Sequence, residues 1–461
     1  MNAFFIIAAT CFGTLVEWYD FYVYLFLQST LATQLYAGTP ASATISWLAT
    51  YAIGFLVRPI GAILFGSLGD IYGRKTVFLA ALLLMGLATT LCGCLPTISM
   101  VGPSAGAGII ILRVLQGLAL GGEYGGAIAY ICEHAPKEQH GHYSSVLQVM
   151  APLGVALALL VCFIFRSAMG DASFTSYGWR FPFLFSFFLI GGSLWARCRL
   201  LESPVYADAR QNDQTSKTLA DYFKKLSSRN TLGQLAIAII ANAGCGVLAQ
   251  VSLAYSQTFI LNTKVPLMDA YKICLVPFFL ACPVFGVSAS LSDKFGRKSL
   301  ILLGIALGAI LCYPCFLGMY NFSPVYPDKY NPAMMSFCLW ILLLCTGIAF
   351  GPLAAFLAEF FPTRLRFLGS AAGYHLGFGI FGGIQPVVTA QINASTGSVF
   401  GGLIYPITVA GLCAILGLFF LPETRGRALT LEVVTEILKP ALADAKVDVS
   451  QQDETTFTAS T

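Results

Sequence analysis

The chain has 461 residues, of which 57% are hydrophobic and only 10% charged, against roughly 25% charged in ordinary soluble domains. This is the composition of a polytopic membrane protein, and the 45 glycines suit helices that pack closely in a bilayer. The net charge of +4 is too small to suggest a nucleic-acid partner.

A membrane helix needs about 20 apolar residues. Twelve runs qualify: 3–33, 44–69, 76–95, 105–131, 142–168, 180–200, 231–261, 268–292, 298–320, 332–360, 368–393 and 400–421. No Lys or Arg precedes the first run and no small-residue cleavage site follows it, so it reads as a retained span. It contains VEWYDFYVY, residues 16–24, which sets Glu17 and Asp20 at bilayer depth. Charges there are costly and mark functional sites by default. The second run adds Arg58, and the fourth adds Arg113 and Glu123.

All five deep charges therefore lie in the first six runs, three acids against two bases. Counting from each helix's inner end at 1.5 Å per residue, Asp20 and Arg113 fall at about 24 and 27 Å. The same count puts Glu17 and Arg58 at about 20 and 17 Å, and Glu123 at about 12 Å. Depth thus suggests Asp20 with Arg113, Glu17 with Arg58, and Glu123 left over. A carboxylate facing an Arg in a dry cavity stays ionised, and protonating it frees the Arg to hold an anion. An acid left without a partner can carry a proton. Gly117, Gly121 and Gly125 recur every four residues, a packing face more than a chemical one.

The polar stretch Leu201 to Asn230 divides the runs six and six. In the seventh run Asn242, Gln250 and Gln257 keep near one helix face. The eleventh offers Tyr374, His375 and Gln385, and no second-half run carries a deep charge. Cys312 and Cys315 mimic a redox motif but read as buried small hydrophobes, and the 14 cysteines show no disulfide framework. The tail from Glu423 has no sustained heptads and reads as disordered from Lys439.

Of 26 Lys and Arg, 19 fall in even-numbered loops or the tail, 5 in the other loops and 2 within runs. The positive-inside rule then sets both termini in the cytoplasm. An internal repeat underlies this. GSLGDIYGRK, with Asp70, recurs as ASLSDKFGRK, with Asp293, at an offset of 223; Glu133 recurs as Glu359 at 226, and Glu202 as Glu423 at 221. Three motifs at nearly one offset imply two homologous six-helix halves in parallel, with a substrate site between them. The boundaries are 1–200 for the first half, 201–230 for the connecting loop, 231–422 for the second half and 423–461 for the tail.

On these residues the chain resembles the major facilitator superfamily, an all-α polytopic fold of twelve transmembrane helices. The two GRK loops are similar to its signature between helices 2 and 3, and 8 and 9, while LESP, PETRG and EFFPTRLR resemble its sugar-porter-like branch. VEWYDFYVY, RPIGAILFGSLGD, RVLQGLALGGEYGGA, YGWRFPFLF and LPETRG together look like the metabolite:proton symporters, which carry α-ketoglutarate, citrate, shikimate, and proline or betaine. The chain departs from the pattern at His140, where the Glu-to-Arg spacing of the first half wants Arg.

The resemblance implies a proton-driven carrier, needing no cofactor or metal, whose partners are a small-molecule substrate, protons and the lipid bilayer. It also implies a monomer in a bacterial inner membrane. Asp20 matches the helix-1 Asp of proton-coupled members and Arg113 its helix-4 partner. With Glu17 and Glu123 these form the expected proton-coupling set. Arg113 and Arg58, which can hold carboxylates bidentately, join Trp18, Tyr19, Gln250, Gln257, His375 and Gln385 as the expected substrate contacts. Asp70, Arg74, Lys75, Glu133, Glu202, Asp293, Arg297, Lys298, Glu359, Arg366 and Glu423 form the expected cytoplasmic gate. The favoured cargo is a small organic acid; the alternative is a zwitterion such as proline or betaine, and a receptor of the same fold is a further alternative. No nucleophile or metal constellation has usable spacing for an enzyme.

Overall fold

The structure, a computed structural model, describes residues 3–72, 74–133, 135–198 and 229–427, and only the backbone of 3–10, 67, 69–72, 74–75, 133, 137, 197–198, 229 and 363–364. The side chains of Asp70, Arg74, Lys75 and Glu133, all of His134 and Glu202, most of the connecting loop and the tail past Arg427 lie outside the described residues.

Among the described residues, twelve helical rods follow in chain order. The first six are α1 (Ala3–Phe26, then Gln28–Leu35), α2 (Pro40–Leu56, then Arg58–Tyr72), α3 (Arg74–Cys92), α4 (Ser104–Gly121, then Glu123–Glu133), α5 (His140–Met169) and α6 (Arg180–Cys198). The second six begin with α7 (Arg229–Ala249, a π-helical Gln250–Tyr255, then Ser256–Asn262), α8 (Leu267–Phe295) and α9 (Arg297–Asn321). They end with α10 (Pro332–Phe350, then Leu353–Phe360), α11 (Thr363–Tyr374, a π-helical His375–Gly382, then Gln385–Thr396) and α12 (Ile404–Phe420). Eight segments among the described residues are long and apolar enough to cross a membrane by composition alone, and Thr76–Cys92 and Arg180–Ala196 are apolar but shorter.

The apolar runs locate all twelve rods but not their breaks, which have local chemical causes. Pro59, Pro352 and Pro386 each sit just past an interruption, where a missing N–H and a ring clash stop the preceding helix. In α4 the Gly121-Gly122 pair marks the break. Buried breaks free backbone carbonyls that no water can reach, so side chains must satisfy them. Two do so across the halves. Gln148 of α5 donates through Nε2 to Phe350 O and, at 3.2 Å, to Gly351 O in the break of α10. His375 of α11 places Nε2 3.0 Å from Gly121 O in the break of α4.

A second tie between the halves lies at the face carrying the GRK loops. Arg297, at the start of α9, reaches Glu359 through Nη2–Oε1 at 2.8 Å and Nε–Oε2 at 3.2 Å, and Asp293 through Nη1–Oδ1 at 2.7 Å. Glu359 Oε1 also lies 2.9 Å from His140 Nδ1 of the first half, and Oε2 accepts from Thr424 at 2.8 Å. The Asp293 carboxylate caps the start of α5, accepting from the N–H groups of Gly141 and His142 at 3.0 and 2.7 Å. A carboxylate at a helix N-terminus meets unpaired donors and the positive end of the helix dipole. Glu423 does the same for α9, accepting from the N–H groups of Arg297 and Lys298 at 2.8 and 3.2 Å.

Of the expected gate residues, Asp293, Arg297, Glu359 and Glu423 thus meet in one network. Lys298 enters only through its backbone, since its ammonium turns to Leu418 O at 2.9 Å. Arg366 donates through Nε to Ala358 O. His140 occupies the departure from the family pattern as a direct partner of Glu359.

At the opposite face Tyr271 of α8 donates to Phe26 O of α1 at 3.1 Å, and Thr258 of α7 to Gln28 Oε1 at 3.1 Å. The halves are therefore tied near both faces.

Within the first half α2 crosses α4 with almost no side chain between them. A Cβ on Gly117 would meet Gly54 O at 2.3 Å, and one on Gly121 would meet Arg58 O at 2.2 Å. This crossing fixes Arg58 against the middle of the protein. Gly117→Val should push the two helices apart and destabilise the fold by about 1–3 kcal/mol, the usual cost of overpacking. A fluorescence-detected thermal unfolding curve unchanged from the parent protein would contradict this account of the crossing.

Candidate functional site

Between the halves lies a small cavity, walled by Glu17, Trp18, Phe21 and Tyr22 of α1, Phe55 and Arg58 of α2, Leu120 and Tyr124 of α4, and Tyr374 and His375 of α11. The break in α2 makes Arg58 the first residue of its second segment, and the π-turn of α11 begins at His375. Interruptions thus deliver both residues to the cavity, as they commonly do at binding sites in membrane carriers.

Arg58 is buried, with its guanidinium 3.8 Å from the Phe55 ring centroid and 4.4 Å from that of Phe21. Stacking of this kind contributes about 2 kcal/mol when desolvated, yet it leaves the in-plane N–H groups aimed past the rings. Trp18 stacks on Tyr22 at 5.5 Å and meets Phe350 and Phe378 of the second half edge-on at 6.1 Å each. Tyr374 lies 3.9 Å from the Tyr124 ring and 4.9 Å from that of Phe378. The site is an aromatic box holding one cationic and one anionic side chain from the same half.

Glu17 and Arg58 share this cavity, as their depths suggested. Asp20 and Arg113 do not pair. Asp20 is fully buried and turns to α6, where Ser186 donates to its Oδ1 at 2.5 Å, with Thr89 of α3 beside it. Arg113 instead lies 3.7 Å from the Tyr24 ring centroid and donates weakly to Phe21 O at 3.4 Å. Depth along a helix fixes one coordinate and not the direction around the axis, which is why the pairing fails.

Several other expected contacts also point elsewhere. Tyr19 donates to Pro182 O of α6 at 2.6 Å. Gln250 accepts from Tyr51 across the halves at 3.1 Å, Gln385 donates to Thr389 in its own helix, and Asn242 bonds Ala238 O. Gln257 is buried in the last segment of α7, and Glu123 opens the second segment of α4, buried. None of these lines the aromatic box. Sequence reading missed Phe21, Phe55, Leu120 and Tyr124 as walls and Gln148 as a tie. The only available signal for Gln148 was an isolated amide within an apolar run.

The comparisons with known proteins bear on the family and the fold. Residues 6–436 match the model of the family described as "Sugar (and other) transporter". The chain is similar to the inner membrane metabolite transport protein YhjE of Escherichia coli, at 31% identity over 92% of this chain and 95% of that one. It is also similar to the alpha-ketoglutarate permease of the same organism, at 31% over 83% and 85%. The solved proton:xylose symporter XylE superposes with a TM-score of 0.73 at 20% identity, covering 94% of this chain and 98% of that one. The chain therefore belongs to the sugar (and other) transporter family within the major facilitator superfamily, as a multi-pass membrane carrier of metabolites and not an enzyme.

Proposed function

We propose that the protein is a proton-coupled symporter of a small organic acid, working as a monomer by alternating access in a bacterial inner membrane with both termini cytoplasmic. The observation that carries this reading is Arg58. It is a buried cation held by ring faces, so its hydrogen-bonding edge is available to a carboxylate. The aromatic walls make the surroundings apolar, which strengthens such a contact. Asp20, one helix turn from Glu17, supports the coupling role, because a carboxyl group whose contacts are hydroxyls can gain and lose a proton without breaking an ion pair. The basic excess on one face supports the orientation. The network of Arg297, Glu359 and Asp293 would then be the cytoplasmic gate.

A second reading, a zwitterion such as proline or betaine, is favoured by Glu17 on the same cavity and by the surrounding rings, which suit a cationic nitrogen.

Vesicles containing the protein and a trapped pH dye separate the two readings. Luminal acidification on adding α-ketoglutarate, citrate or shikimate, with none on adding betaine or proline, is the expected result; the opposite pattern selects the zwitterion. Asp20→Asn should abolish proton-driven accumulation while preserving exchange of substrate between the two sides. Full accumulation in that variant removes Asp20 from coupling. Asp293→Asn should loosen the closed gate, so that a cysteine placed at Ser145 reacts at least several-fold faster with a membrane-impermeant thiol reagent applied from the gate side. An unchanged rate would mean that the carboxylate does not hold the gate shut.

A further inference from the structure

The two ring nitrogens of His375 face different demands. Nε2 lies 3.0 Å from Gly121 O, and a backbone carbonyl can only accept, so Nε2 carries the hydrogen. In the neutral ring this leaves Nδ1 as a bare acceptor. Nδ1 is buried with no hydrogen-bond partner in the protein, on a residue 1% exposed that forms part of the cavity wall. The wall residues with hydroxyl groups do not supply a donor to it: Tyr124 donates to Gln148 Oε1, and no bond joins Nδ1 to Tyr22 or Tyr374. An unpaired acceptor in a dry site is unfavourable until a ligand donates to it.

We propose that Nδ1 of His375 accepts a hydrogen bond from the substrate, and that the preferred substrate carries a hydroxyl or N–H donor in addition to its carboxylate. The inference rests on the reading of the cavity as a carboxylate site beside Arg58. It makes His375 a specificity residue: acids of equal size and charge are separated by whether they present a donor, because a ligand without one leaves Nδ1 unpaired on binding. It also assigns His375 two tasks that different variants can separate. In His375→Gln the amide nitrogen can take the place of Nε2 and keep the bond to Gly121 O, with nothing at the Nδ1 position. In His375→Asn the amide oxygen can take the place of Nδ1, and the bond to Gly121 O is lost.

The test is calorimetric binding to the purified full-length protein, using two matched pairs. These are 2-hydroxyglutarate against α-ketoglutarate, and proline against N,N-dimethylproline. In at least one pair the donor-bearing member should bind tighter by about tenfold or more. His375→Gln should bring that ratio close to one, while His375→Asn should retain most of it despite a lower unfolding temperature. Arg58→Gln should weaken both members of the pair together. If Arg58→Gln weakens both but the parent ratio is near one, or survives His375→Gln, then this inference is overturned and the carboxylate site stands. Equal ratios would mean that water satisfies Nδ1. If Arg58→Gln leaves both affinities intact, or the parent protein binds none of the four, the carboxylate reading falls and this inference with it.

Discussion

The structure depends on one constraint: a backbone carbonyl freed inside a membrane protein must find a donor from the protein itself. The breaks of α4 and α10 free such carbonyls at Gly121 and at Phe350 and Gly351, and the donors are His375 and Gln148 from the opposite half. The arrangement is reciprocal, since α5 serves the break in α10 while α11 serves the break in α4. Irregular helix geometry, which by itself is a cost, is therefore what joins the halves beside the cavity. The same irregularity aims Arg58 and His375 inward. Straight helices with every bond satisfied internally would have offered neither the tie nor the site.

Charge is divided unequally between the two halves. The first half holds Glu17, Asp20, Arg58, Arg113 and Glu123, and its two deep arginines lie against aromatic rings. Ring faces stabilise a guanidinium while leaving its N–H edge available. In the second half the buried charges among the described residues are Arg297, Glu359 and Arg366, and the first two join Asp293 and Glu423 in one network. The two halves thus differ in charge pattern: the deep charges lie in the first, and the better-described ion-pair network gathers on residues of the second.

Much of this was legible in the sequence. Apolar run length locates the twelve rods, the recurrence of the GRK loops indicates two halves, and similar depth brings Glu17 and Arg58 to one cavity. Azimuth was not legible, and Asp20 turning to Ser186 instead of Arg113 is the result. Residue type also does not tell a cavity wall from a helix contact. Tyr19 and Tyr22 are three residues apart, yet one bonds Pro182 O and the other lines the box. The breaks were only partly legible, because a proline marks where a helix stops but not which distant amide will satisfy the carbonyl it frees.

His140 shows how a departure from a family pattern can be absorbed. An Arg at that position would bring a second permanent cation to Glu359, which already receives two bonds from Arg297. The imidazole needs only Nδ1 to reach the same carboxylate oxygen, at 2.9 Å, and it fits where both residues are buried. Among the described residues, the network then sets one permanent cation, Arg297, between two carboxylates, Glu359 and Asp293. Asp293 is balanced further by the N-terminus of α5, whose first N–H groups it accepts. Electrostatic closure is therefore shared between a guanidinium of the second half and a helix end of the first. In the alternating-access cycle proposed above, the helix end would move only with α5, so opening this face would tilt α5. Gln148, further along α5, would leave the carbonyls of α10 in the same motion, so the tilt proposed to open this face would also release the tie beside the cavity.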